Sequence, residues 1–467
     1  MILQIIKKET REILRDGRFK ISIVIVLFLL AIALFITSKQ YESINAQYQS
    51  AKKNERVAWE SQGEKNPHSA AHYGNYAFKP KFPLSLLDQG VDKYTGVSIF
   101  LEAHNRNEAQ YSEATDQTAL SRFGELTPDF ILFFIIPLII ILVGYNTFTK
   151  EIEGRTLYIL KSQGINGWKL VIGKWVAALI PTLSITTLLF ILAGIILSNI
   201  KDYGVFSWSS LIVLYAVYLL YYFIFTNVIL LISSMSKKSG IALVSSLTFW
   251  VLACFIAPKI ASNIADSKYP YPTHQEFSEN ITKEKQQGLD GHNPWSKESK
   301  LLEQKVLKEY KVDNVRDLPF NFSAYRMQKS EEYQAKIYAK HYEELKDQFK
   351  KQSGVYKTLT VISPFLPARF LSMSIANTDY QAHWNFSNAA ENYRVETQKF
   401  LNGKTEKNSK MGERYVASAD TWKELPKFKY IPSSLSEKLS ENKFNFVILL
   451  LWFSLTGGTL LLINKNY

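Results

Sequence analysis

Six stretches of the 467-residue chain, at 21–37, 130–148, 175–200, 208–233, 241–257 and 444–463, are apolar and free of Asp, Glu, Lys and Arg. Each is near the ~20 residues that cross a bilayer as a helix. Leu, Ile, Phe or Val at mid-helix favours insertion by roughly 0.3–0.6 kcal/mol apiece, so the thirteen between Ile21 and Ile36 supply about 6 kcal/mol, and one Lys or Asp there would cancel about half. The sequence therefore predicts an all-α polytopic membrane protein with six transmembrane helices. A mean hydropathy of −0.08 is then an average over lipid-facing and water-facing material.

The net charge of +13 has a topological explanation that makes nucleic acid an unneeded partner. Residues 1–20, 149–174 and 234–240 with Lys465 hold fourteen Lys and Arg against five acidic residues (Glu9, Glu12, Asp16, Glu151 and Glu153), the positive-inside pattern. It predicts cytoplasmic termini and cytoplasmic loops at 149–174 and 234–240. Blocks 38–129 and 258–443 are then extracytoplasmic, with 201–207 a tight outer turn. Six Lys and Arg precede the first span and no small-x-small site follows it, so a cleaved signal peptide is not expected. The lone cysteine, Cys254, lies in the fifth span and excludes an intramolecular disulfide.

In residues 1–20, Ile2, Leu3, Ile5, Ile6, Ile13 and Leu14 interleave with Lys7, Lys8, Arg11, Arg15 and Arg18, which predicts an interfacial helix, either a topology anchor or an elbow that contacts a cytoplasmic partner. Block 38–129 reads as irregular structure between helical ends. In block 258–443, Leu302, Val306 and Tyr310 keep four-residue spacing, as do Tyr333, Ile337, His341, Leu345 and Phe349. Residues 381–401 offer Phe386, Ala390, Tyr393, Thr397 and Leu401. These amphipathic helices predict a mostly helical domain, completed by 38–129.

The most specific stretch is the loop between spans two and three. Glu151 and Glu153, the apolar Leu157, Ile159 and Leu160, and the breakers Gly164 and Gly167 predict a short amphipathic helix, a turn, and a helix entering the membrane. Such a helix can dock into a groove of a cytoplasmic protein.

The run Glu151, Ile152, Glu153, Gly154, Arg155, Thr156, Leu157, then 162–165, then Gly173, Lys174 and Trp175, resembles type-2 ABC exporter permeases, with Arg155 as an insertion before Thr156. The resemblance implies a coupling helix that engages a separate ATP-binding subunit through Glu151, Glu153, Gly154, Thr156, Leu157, Leu160 and Lys161. It implies a bacterial cytoplasmic (inner) membrane location and no catalysis or cofactor in this chain, ATP and Mg being held by the partner. Block 258–443 resembles a narrower group of these permeases with an extracytoplasmic domain of unknown function before the last span. The residues that carry this second resemblance lie in 288–294 (Asp290, His292), 320–327 (Asn321) and 363–394 (Ser363, Pro364, Ser372, Asp379, Glu391, Arg394).

Other constellations carry less. The Gly167 to Lys174 stretch ends in Gly-Lys, but its spacing is wrong for a phosphate loop and Trp175 stands where Ser or Thr would hold magnesium. Neither a Gly-x-Ser-x-Gly nor a His-Glu-x-x-His motif is present, and AspGlyHis at 290–292 reads as a turn. Pro137, Pro181, Asn146 and Asn227 fit kinks or polar contacts along a pathway and fit ordinary helix packing equally. His68 and His72, at i and i+4, put two imidazoles on one helix face; whether they bind metal stays open.

The expected function is the permease subunit of an ATP-driven exporter, dimeric with a second copy or a sister permease. The alternative is a mechanotransmitting ABC membrane subunit that moves its outer domain against an envelope partner. A receptor without an ATPase is a third reading.

Overall fold

The structure, a computed structural model, describes residues 1–112, 126–200 and 206–463. The expected outer turn at 201–207 lies mostly outside the described residues, as does Lys465.

The chain opens with α1 (Ile2–Arg15), then α2 (Gly17–Glu60), α3 (Pro67–Tyr73) and an antiparallel hairpin of β1 (Asn75–Phe78) and β2 (Ser98–Leu101). The bundle continues with α4 (Pro128–Glu153), a short α5 (Thr156–Ser162), α6 (Gly167–Asn199), α7 (Trp208–Met235) and α8 (Ser239–Lys268). Then come α9 (His274–Gln286), α10 (Lys297–Tyr310), α11 (Phe322–Leu359), α12 (Phe365–Ala376), α13 (Tyr380–Asn408) and α14 (Lys443–Ile463). Among the described residues, six helices (α2, α4, α6, α7, α8 and α14) are long and apolar enough to cross a membrane. The most apolar windows of α4 and α7 are 67% buried and that of α14 only 17%, so α4 and α7 form the centre of the bundle.

The helix that carries span one runs well past residues 21–37. Residues 38–60 contain no Pro or Gly and many good helix formers, so α2 continues unbroken to Glu60. Its 44 residues make about 66 Å at 1.5 Å per residue, twice the ~30 Å hydrocarbon core, so about half of it stands clear of the membrane. There Trp59 packs edge-on against Trp422 and donates to its carbonyl at 3.0 Å.

The domain is completed across the two blocks, as expected. Trp59, Ala70, Ala71 and Ala103 pack with Leu401 and Trp422, and Ala77, Ile99 and Leu101 with Phe386 and Ala390. Ile337, Tyr338 and Tyr342 meet Ile281 and Trp384; Val306 meets Leu318 and Phe322.

Block 258–443 does not all lie beyond the bundle. Helix α12 buries Phe365, Leu366, Ala368, Leu371 and Ile375 in the same core as Phe133, Tyr218 and Cys254 of the spans. At twelve residues it is too short to read as a span, yet its apolar side chains pack into the bundle core beside Phe133 and Tyr218.

Pro137 and Pro258 each follow a π turn, Ile131–Ile135 and Leu252–Ile256. Proline has no N–H, so the carbonyls four and five residues earlier lose their helical donors. The hydroxyls of Tyr221 and Tyr222 donate to Phe133 and Leu132 at 3.1 and 3.0 Å, and Ser363 Oγ donates to Ala253 at 2.6 Å. Asn227 is a packing residue: its Oδ1 accepts from Trp175 Nε1 at 2.7 Å and its Nδ2 donates to Thr456 Oγ1 at 3.1 Å, joining α6, α7 and α14.

Candidate functional site

Of the sequence-predicted coupling residues, Glu151 and Leu157 fold against α1. Ile5 buries beside Phe148, Leu157, Leu170, Val171, Leu230 and Leu460. Gly173 makes this approach possible, because a Cβ there would lie 2.6 Å from Ile5 Cγ2. A Gly173→Val variant is expected to lose about 1–3 kcal/mol and to release α1. Trypsin cleavage at Lys7, Lys8 and Arg11 in detergent checks this, since faster cutting than in the parent protein is required.

A buried ion cluster lies beneath α1. Lys174, fully buried, sits 2.9 Å from Glu9 and 3.0 Å from Glu151 and donates to the Thr147 carbonyl at 2.8 Å. Lys150 reaches Glu9 at 3.1 Å and Glu12 at 2.6 Å; Lys8 reaches Glu9, Glu12 and Glu151 at 3.0, 3.2 and 3.3 Å. Burial pushes the Glu9 carboxyl up, but Lys174, Lys150 and Lys8 outweigh it and hold the group at about 2. In low dielectric such charges persist only when paired, so the cluster fixes α1, α4 and α6 as one unit.

The loop's carboxylates therefore face inward or along the surface. Glu151 is buried in the cluster and Leu157 in the core beside Ile5. Glu153 accepts from the Ser239 amide and hydroxyl at 2.9 and 2.8 Å, capping α8. Gly154 ends α4, and Arg155, the inserted residue, turns the chain with φ 55°. Gly154, Arg155, Thr156 and Ile159 are exposed and Leu160 is half-buried. The side chain of Lys161 lies outside the described residues. Trp168, at the start of α6, is 45% exposed. Of the α1 cations, Lys7, Arg11 and Arg15 are exposed and only Lys8 turns into the cluster.

Glu9, Lys150 and Lys174 were not among the sequence-predicted residues. Their signal was present: Ile2, Ile5, Glu9 and Ile13 share one helix face, so an acid lies on an apolar stripe and needs a buried cation.

The family-motif residues of block 258–443 are spread over the fold instead of meeting at one site. Asn321 caps α11, accepting from Ser323 and Ala324, and Asp379 caps α13, accepting from Ala382 at 2.8 Å. Pro364 caps α12, and Ser363 serves the span-five carbonyl. Ser372 donates to Asp88 and meets the Tyr218 hydroxyl at 3.1 Å. Arg369 bridges Asp88 and Asp129, each at 2.8 Å. Glu391 and Arg394 pair at 2.8 Å, with Glu331 3.2 Å from Arg394. Asp290 accepts from the His292 amide at 2.9 Å within a turn.

The arrangement is six candidate spans with a helix-bearing loop clamped between the second and third. Residues 64–269 match the family described as ABC-2 family transporter protein, and residues 275–431 match a domain of unknown function, DUF3526. Together the two matches are consistent with an ABC-2 permease that carries an extra domain, and the six apolar helices fit a multi-pass membrane protein. No curated protein matches it.

Proposed function

We propose that the chain is the permease subunit of an ATP-driven exporter in a bacterial cytoplasmic membrane, with both termini cytoplasmic. A separate ATPase binds ATP and Mg and docks on the loop between α4 and α6. A second copy or a sister permease faces it across the lipid-exposed spans. The observation that carries this reading is the Lys174 cluster: buried ion pairs lock the end of α4, which leads directly into α5, to α6 and α1, so a push on α5 reaches the spans instead of dissipating in a slack loop. The docking surface is Arg155, Ile159 and Trp168, the exposed part of the loop, while Glu151 and Leu157 hold it in shape.

Ile159→Glu with Trp168→Glu is therefore expected to abolish co-purification of the ATPase while leaving thermal stability of the permease within about 0.5 kcal/mol, as for exposed substitutions. Retention of the ATPase by the double variant would overturn the docking surface. A cysteine at Gln163, in a Cys254→Ser background, must react with an impermeant maleimide only after cells are permeabilised; reaction in intact cells would reverse the topology.

The mechanotransmitting alternative has its own support. The unbroken α2, the 38-residue α11 and the insertion of α12 into the bundle tie the outer domain stiffly to the spans. Export by proteoliposomes containing only permease and ATPase favours the first reading, and a requirement for an envelope partner favours the second.

A further inference from the structure

Four of the seven histidines converge in the outer domain from three separate segments. Helix α3, whose first turn is capped by Asn66, presents His68 and His72 one turn apart. His104 follows β2 in a segment tied back to α3 by the Ala103 amide on the Ala71 carbonyl at 3.1 Å. His292 sits on the 288–294 turn, which Arg326 and Ser330 of α11 hold through the carbonyls of Gly291 and Leu289 at 3.1 and 2.9 Å.

The ring nitrogens point at one another. His68 Nε2 lies 3.2 Å from both His292 Nε2 and His72 Nε2, and a ligand atom from each of the four rings lies within 4.8 Å of every other. One ring nitrogen holds either a proton or a lone pair, so His68 Nε2 can satisfy only one of its two neighbours by hydrogen bonding. A tetrahedral ion with bonds of 2.0–2.1 Å needs ligand atoms about 3.3 Å apart, which both contacts meet.

His104 adds an independent observation. Its Nδ1 is 2.6 Å from Glu331 Oε1, which holds the Nδ1 proton and, in the neutral ring, leaves the lone pair on Nε2. That Nε2 is buried and has no hydrogen-bond partner among the described residues. Glu331 is held in turn by Arg394 at 3.2 Å, giving the carboxylate–histidine relay that orients metal-binding imidazoles.

We propose that His68, His72, His104 and His292 bind one zinc(II) ion that fastens the segment before span two to the DUF3526 domain. All-imidazole ligation suits zinc and its neighbouring transition metals and not magnesium or calcium. Four protein ligands close the coordination sphere, so the site is structural and not hydrolytic.

The test uses full-length protein in detergent, purified through a histidine-free tag and stripped with chelator. Elemental analysis after zinc addition and desalting is expected to give one zinc per chain, and cobalt(II) should show the visible bands of a tetrahedral nitrogen site. Zinc should raise the melting temperature of the parent protein and not of His292→Ala, whose side chain is exposed and whose loss spares the core. Glu331→Gln should weaken zinc affinity by ~10–100-fold, the cost of losing an outer partner, and His72→Ala by more. Absence of stoichiometric zinc from the parent, or its retention by both His72→Ala and His292→Ala, overturns the site. None of these readouts involves the ATPase or transport, so the result is separate from the proposed function.

Discussion

Lys174→Met is expected to destabilise the protein by about 3–5 kcal/mol, the penalty for leaving a buried ion pair with one partner. Methionine keeps most of the side chain's length and removes only the ammonium. Glu9 and Glu151, 3% and 4% exposed, then share the half-exposed Lys8 and the partly exposed Lys150, and Glu151 Oε2 already has no partner among the described residues. The measurement is built into the chain: Cys254 is buried, so a thiol-reactive dye reports unfolding as temperature rises. Adding Glu9→Gln and Glu151→Gln to Lys174→Met should recover much of the loss, since contacting groups are not additive. A triple variant no more stable than Lys174→Met would show that these residues do not act as one unit. The acid response carries the same signature. The Glu9 carboxyl is held at about 2 against its ordinary 4.5, so its stabilising contribution is complete above pH 4.5 and disappears as pH falls toward 2. Without Lys174 the depression is smaller, and acid unfolding should begin at higher pH.

The parts of this fold that were readable in the sequence rest on periodicity and on the cost of placing charge in lipid. The six spans, the amphipathic helices around Val306, Ile337 and Phe386, and the pairing of the two outer blocks all follow from such patterns. Helix α12 did not, because a twelve-residue apolar stretch has the same pattern in a soluble core and in a membrane bundle. The extension of α2 was missed because the eye stops where hydropathy falls, while helix propensity continues to Glu60. At the loop end, the Gly-Lys pair was read as a family mark; its physical content is that Gly173 admits Ile5 and Lys174 neutralises Glu9. Pairings across 165 residues, such as Glu9 with Lys174, have no local signal beyond the misplaced acid itself. The histidine cluster was half legible: α3 spacing pairs His68 with His72, whereas His104 and His292 arrive only through tertiary contacts.

Arg394→Met should have an effect of similar size, about 3–5 kcal/mol, on the domain that carries α11 and α13. The Arg394 side chain is 1% exposed and forks onto Glu391 through Nε at 2.8 Å and Nη2 at 2.9 Å, while Nη1 reaches Glu331 and the Glu102 carbonyl. Arg394→Lys keeps the charge and loses the fork, so it should fall between the parent and Arg394→Met. Where the damage travels tests how the domain is joined to the spans. Helix α12 follows α11, which carries Glu331, and packs into the core that contains Cys254, with Ser363 bound to the Ala253 carbonyl. Loosening α11 and α13 should therefore expose Cys254 to the thiol dye at a lowered temperature, in step with protease cleavage of residues 297–408. If Cys254 stays protected while that segment is digested, α12 does not link domain to bundle, and motion could not pass between them by this route. If both signals shift together, domain and spans unfold as one body, which is the stiffness that either an exporter gate or a mechanical transmitter requires.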